Sequence, residues 1–152
     1  MYDITVGHVP QRMALVVRRR ATAQTAGRII PEAFADIFAH IDSGAACGSE
    51  ERLAMFPLDF AAPGEHEIAI AVVIADGVPG PGIELDELPA CKIIKTTHYG
   101  PYATTPQGWT AVLEFMDERD LDPARDLWEV YLNTPEEVPE AELATELQVP
   151  LA

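Results

Sequence analysis

The chain has 152 residues, 48% hydrophobic and 23% charged, which suits one domain with a buried core. Its formal net charge is -15, so it repels a phosphate backbone, and direct nucleic-acid binding is not expected. No apolar run approaches the roughly 20 residues of a membrane helix, and the N-terminal segment has no basic stretch followed by an apolar one. Neither a membrane span nor a signal peptide is expected, and the cytoplasm is the expected compartment.

Residues 2–6 and 13–18 read as short strands separated by Gly7 and Pro10. Ile30, Phe34, Ile37, Phe38 and Ile41 then recur at helical spacing, with Pro31 suited to a first turn and Asp42-Ser43-Gly44 as the stop. A start near Thr25 is the alternative, and it would put Pro31 inside the helix. RLAMFPLDF and HEIAIAVVI are strand-like, with a turn at Ala62-Pro63-Gly64 between them. In the second, Ile68, Ile70, Val72 and Ile74 alternate with smaller residues, which predicts branched side chains on one face and small ones on the other. DGVPGP, from Asp76, is a loop and the expected boundary between two halves.

The second half repeats this order. CKIIKTTHYG is a strand ending at Gly100, Thr105-Pro106 is a helix start, and Trp109, Val112, Leu113 and Met116 mark the helix face. LWEVYL and ATELQVPL follow as strands, separated by the Pro- and Glu-rich TPEEVPEAE. Shifting the chain by about 75 residues lays Phe34 on Trp109, Ile37 on Val112, Phe38 on Leu113 and Ile41 on Met116. The expectation is an α+β fold of one domain, 1–152. It would contain two tandem β-α-β-β repeats, about 1–75 and 90–152, related by a pseudo-twofold axis. Antiparallel sheets would each carry a helix, with a ligand cleft between the repeats.

Cys47 and Cys91 form no CxxC pair and read as reduced thiols. The four histidines lack zinc spacing, and there is no Walker loop, GxGxxG or GxSxG, so neither metal nor cofactor is expected. His98 reads as a strand-end hydrogen bonder.

LWEVYL carries the functional expectation. Alternation sets Trp128, Val130 and Leu132 on one face, expected against a helix, and Glu129 and Tyr131 on the other. In ATELQVPL the same rule sets Leu147 and Val149 in the core, with Glu146 and Gln148 opposite. Neighbouring strands would then present Glu129, Tyr131, Glu146 and Gln148 together. The matching positions of the first half, Met55, Pro57, Ala69 and Ala71, would leave room beside them. An ordinary sheet with one solvated polar face is the competing reading. A carboxylate among aromatic rings attracts organic cations, with ring faces adding about 0.5–2 kcal/mol. HYGPY, at 98–102, turns a strand towards a helix and projects Tyr99 and Tyr102.

The series HYGPY, Trp109, WEVYLNTPEEVP and TELQVPL resembles the second half of the GyrI-like small-molecule-binding family, which includes effector-binding domains of multidrug-sensing transcription regulators. The matching residues are His98, Gly100, Pro101 and Tyr102; Glu129, Tyr131, Asn133 and Pro135; and Thr145, Glu146 and Pro150. The first half is similar more loosely, through VVRRRAT and the helix with Phe34. The resemblance implies the pseudo-twofold fold and a cleft with Glu129 deep inside it, lined by Tyr102, Tyr131, Glu146 and Gln148. It also implies a lipophilic, often cationic, ligand. No helix-turn-helix precedes the first strand, so a stand-alone member or an excised effector domain is expected.

The first function expected is a sensor or sequestering protein for a small hydrophobic or cationic molecule. The alternative is a hydrolase of reactive cyclopropane-bearing molecules, with Glu129 as general base and Tyr102 or Tyr131 as hydrogen-bond donor. A protein-interaction module, with gyrase or a regulator as partner, is the third.

Overall fold

The computed structural model describes residues 2–49 and 51–152. Its elements run β1 (Thr5–Val9), β2 (Arg12–Ala21), α1 (Ala26–His40), β3 (Ala46–Cys47), β4 (Arg52–Phe56), β5 (His66–Ile74), β6 (Asp76–Gly77) and β7 (Glu84–Leu88). They continue with β8 (Cys91–Tyr99), α2 (Thr105–Glu118), β9 (Leu127–Tyr131) and β10 (Ala144–Pro150). The fold is α+β, as expected, and all strand pairs described are antiparallel. No described helix is long and apolar enough to cross a membrane.

The chain divides into two compact units, Pro10–Ala90 and Met1–Val9 with Cys91–Ala152. In the first, the strand order is β4-β5-β2-β7, and α1 contacts β2 and β5. In the second, it is β9-β10-β8-β1, and α2 contacts β8 and β10. Each unit thus has a strand, a helix and two further strands, with the last strand lying beside the first. Each also has an edge strand borrowed from outside the expected repeat. β1 was read as opening the first half but pairs with β8, Thr5 opposite Lys95. β7 was not foreseen. Its ELDEL sequence carries three acids and reads as loop, yet it pairs with β2 along Arg12–Val16. An edge strand is hydrogen-bonded on one side only, so charged side chains are tolerated there.

α1 begins at Ala26, the earlier of the two expected starts. Thr25 Oγ1 accepts from the Thr22 backbone N–H at 2.8 Å, knotting the turn before the helix. Pro31 lies inside it. Its ring deprives the carbonyl of residue 27 of a donor, and both Gly27 and Pro31 are exposed, so water can satisfy that carbonyl. Ala33 and Ile37 are buried on the expected face. Gly44, at φ +92°, ends the helical segment at the expected stop.

α2 buries Thr105, Gly108, Val112 and Met116. Leu113, expected on that face, is 43% exposed, while Phe115 packs on the core instead. Gly108 sets the helix rotation. A Cβ there would stand 2.6 Å from Leu147 Cδ1, so the helix backbone lies directly on β10. In β5 every residue from Ile68 to Ile74 is buried, so both faces of that strand are covered rather than one.

Candidate functional site

The second unit holds the carboxylate singled out by the sequence. Register decides which face it occupies. Leu147 is the partner of Glu129, and Thr145 of Tyr131. Directly opposed residues of antiparallel strands project from the same face. Leu147 packs with Val112 and Met116 of α2, so Glu129 and Tyr131 stand on the helix side. Gln148 pairs with Trp128, and Glu146 with Val130, on the other side. The expectation that Glu129, Tyr131, Glu146 and Gln148 share one face is therefore overturned, as is the placing of Trp128 and Val130 against a helix. Both are 1% exposed, so each face of β9 is covered, and alternation cannot tell which one a helix covers.

Glu129 accepts two hydrogen bonds. Trp109 Nε1 donates to Oε2 at 2.8 Å, and the Tyr131 hydroxyl donates to Oε1 at 2.9 Å. Sequence reasoning read Trp109 only as core. The overlooked signal is its single N–H, which needs an acceptor once the indole packs inside. Tyr102 packs edge-on against Tyr131, with ring centroids 5.8 Å apart at 77°. No basic residue lies within ion-pair distance of Glu129 among the described residues.

The HYGPY corner positions Tyr102. Gly100 has φ +125°, a conformation that disfavours any side chain, and its N–H donates to the Leu143 carbonyl at 2.8 Å. The Thr104 hydroxyl gives its only proton to the Pro101 carbonyl at 2.8 Å. It must therefore accept from His98 Nε2, also 2.8 Å away, which fixes the tautomer and leaves Nδ1 to accept from the Tyr2 hydroxyl. His98 is buried and bonded at a strand end, as expected. Beside it, Thr145 Oγ1 is buried without a hydrogen-bond partner.

The remaining predicted positions lie elsewhere. Gln148 Nε2 donates to Glu146 Oε2 at 2.6 Å on the face away from α2. Met55, Ala69 and Ala71 belong to the first unit, where Met55 pairs with Ala69 and Leu53 with Ala71 on one buried face. No cluster of three metal-ligating groups occurs among the described residues.

Burial raises the Glu129 pKa above its ordinary value of 4.5, opposed by the bonds from Trp109 and Tyr131. Tyr131 is pushed well above 10.0 by burial first and then by the Glu129 charge. The native state therefore holds the Glu129 proton at pH values where the unfolded chain has released it. Stability falls as pH rises from the ordinary carboxylate value to the raised one, and the penalty is complete above that. Glu129→Gln should thus gain stability over the parent as pH rises from the ordinary carboxylate value of 4.5 to the raised one, and keep that gain above it, read from urea midpoints at a series of pH values.

No curated protein sequence matches the chain. Among solved structures it is similar to the EcmrR C-terminal domain, with TM-score 0.86 and 16% identity over 100% of this chain and 98% of that one. A hydrolase from Listeria innocua superposes with TM-score 0.71 at 15% identity, over 98% and 91% of the two chains. SAV2435 bound to tetraphenylphosphonium does so with TM-score 0.65 at 12% identity, over 99% and 94%. At these identities the likeness shows the fold. The model of the GyrI-like small molecule binding domain matches residues 2–152. The chain, with its two helix-backed antiparallel units, belongs to the GyrI-like small molecule binding domain family.

Proposed function

We propose that this domain binds a lipophilic organic cation at Glu129 and serves as a sensor or sequestering protein. One observation carries the reading. A partly buried carboxylate is held by two neutral donors, Trp109 and Tyr131, with no basic residue in ion-pair reach among the described residues. Neutral donors hold the group in place but leave its charge uncompensated, and a cation entering a site drier than water supplies the missing charge. The rings of Trp109, Tyr131 and Tyr102 add favourable faces for an alkylated or arylated cation. The tetraphenylphosphonium held by SAV2435 supports this ligand class. Titration with tetraphenylphosphonium and with neutral triphenylphosphine oxide tests it. The cation should bind roughly tenfold or more tighter, and equal affinities would remove the electrostatic basis of the reading.

A second reading is a hydrolase. It is favoured by the raised pKa of Glu129, which suits a general base, and by the Tyr131 hydroxyl beside it. Turnover of an electrophilic substrate that disappears in Glu129→Gln would support it. Binding without turnover would exclude it for that substrate.

A further inference from the structure

β1 and β7 are both edge strands, and their charge is opposite in character. β1 has a neighbouring strand on one side only, β8, and β7 likewise has only β2. Each therefore offers a row of unpaired backbone N–H and C=O groups. β7 guards its row with Glu84, Asp86 and Glu87. β1, TVGHV, carries no acid, lysine or arginine, and its Thr5, Val6 and His8 are exposed.

β1 is bordered instead by the only two lysines of the chain, Lys92 and Lys95, both on β8. Lys92 is the partner of His8, and Lys95 of Thr5. Lys95 lies across Gly7, where a Cβ would stand 3.1 Å from its Cε and 3.6 Å from its Nζ. The missing side chain lets the ammonium reach over the edge strand. Although the chain has a net charge of -15, neither lysine has a carboxylate within ion-pair distance among the described residues. Ile94 packs beneath α2, so alternation sets Lys92 and His8 on the α2 side and Lys95 on the other.

β7 carries acids on both of its faces, Glu84 and Asp86 on one and Glu87 on the other. Arg18 reaches Glu84 and Asp86 at 3.5 Å and Glu67 at 3.9 Å, so one guanidinium serves three carboxylates. Glu87 has no ion pair among the described residues. Charge thus selects the occupant of the β1 edge. Two β1 strands side by side would set lysines against lysines, and two β7 strands acids against acids. β1 beside β7 brings opposite charges together on both faces, whichever way the strands face. At about 0.15 M salt charges are screened over about 8 Å, so pairs in contact outweigh repulsion between distant acids. β8 and β10 separate β1 from β9, which keeps this edge apart from Glu129.

We infer that β1 is a docking edge for a second copy of this chain, which adds its acidic β7 as a further strand. The contact joins unlike edges, so copies link head to tail.

Sedimentation velocity of the full chain from about 10 µM to about 1 mM, in about 0.15 M salt, tests the inference. Mass should rise with concentration and reach half-assembly near about 0.1 mM, because the entropy of association offsets most of what a few backbone hydrogen bonds supply. Lys92→Glu/Lys95→Glu and Glu84→Lys/Glu87→Lys should each stay monomeric, since each then has like charge on both edges. Mixed in equal amounts they should assemble again, because every acidic edge regains a basic partner. Glu129→Gln should assemble as the parent does. A parent that is monomeric at the highest concentration, assembly that survives in either double variant, or a mixture that stays monomeric would overturn the inference. A double variant that unfolds, seen in a urea melt, leaves the decision to Lys92→Glu at an exposed position. Assembly weakened roughly fivefold or more by that single change upholds the inference, and unchanged assembly overturns it.

Discussion

Glu129→Gln should weaken tetraphenylphosphonium binding by about 2–5 kcal/mol, or roughly 30-fold to 4,000-fold, the cost of removing one partner from a desolvated charge pair. Gln keeps the shape of Glu and an oxygen that accepts from Tyr131 or Trp109. Its amide cannot satisfy both donors as the carboxylate does at 2.9 and 2.8 Å. What the substitution removes is the charge facing the ligand. The empty protein should not suffer in proportion, because burial already disfavours the ionised carboxylate. Calorimetric titration beside a urea melt separates the two effects. Lost affinity with retained or raised stability is expected. A parallel loss of both would mean that Glu129 supports the fold and not the ligand. Binding should also be pH-dependent. Below the raised pKa the carboxyl is neutral and the cation loses its partner, so affinity should rise with pH and level off above that pKa in the parent, and stay flat in Glu129→Gln.

Leu147→Ala should lower stability by about 2–5 kcal/mol, the range for a buried Leu truncated to Ala. Leu147 is 0% exposed, packs beneath α2 with Val112, Met116 and Ile94, and is the cross-strand partner of Glu129. Its Cδ1 occupies the space that a Cβ on Gly108 would need, at 2.6 Å. Gly108→Ala alone gains helix propensity of about 1 kcal/mol but meets that methyl. In the double variant the new methyl enters the space vacated by Leu147. The pair should therefore be non-additive by about 0.5–3 kcal/mol, the double variant being more stable than the sum of the singles. Additive costs in a chemical-denaturation cycle would show that α2 does not rest on β10 through this contact. Because α2 also delivers Trp109 to Glu129, loosening it in Leu147→Ala should weaken cation binding too.

Most elements were legible because their patterns are local. The α1 stripe, the β5 run and the HYGPY corner each occupy one stretch, and their side-chain periods read directly as helix, strand and turn. β7 was illegible because ELDEL has little strand character, and its pairing comes from β2, some 70 residues earlier in the chain. β1 was read as a strand, but its partner β8 lies beyond the whole first unit. Leu113 shows the same limit. Its spacing fits the apolar stripe, and the close approach of Gly108 rotates it outward.

By itself the sequence determined an acidic α+β chain of two similarly ordered halves. It also marked Glu129 and Tyr131 as same-side neighbours. These depend on composition and on alternation within one strand, which sterics impose residue by residue. Only the tertiary structure decided that Trp109 bonds Glu129, and that Glu146 and Gln148 turn away from it. The physical reason is register. Alternation says which residues of a strand share a face, but a one-residue slip exchanges both faces at once. Only the pairing of Leu147 with Glu129, set by the packing of α2 on β10, selects between them.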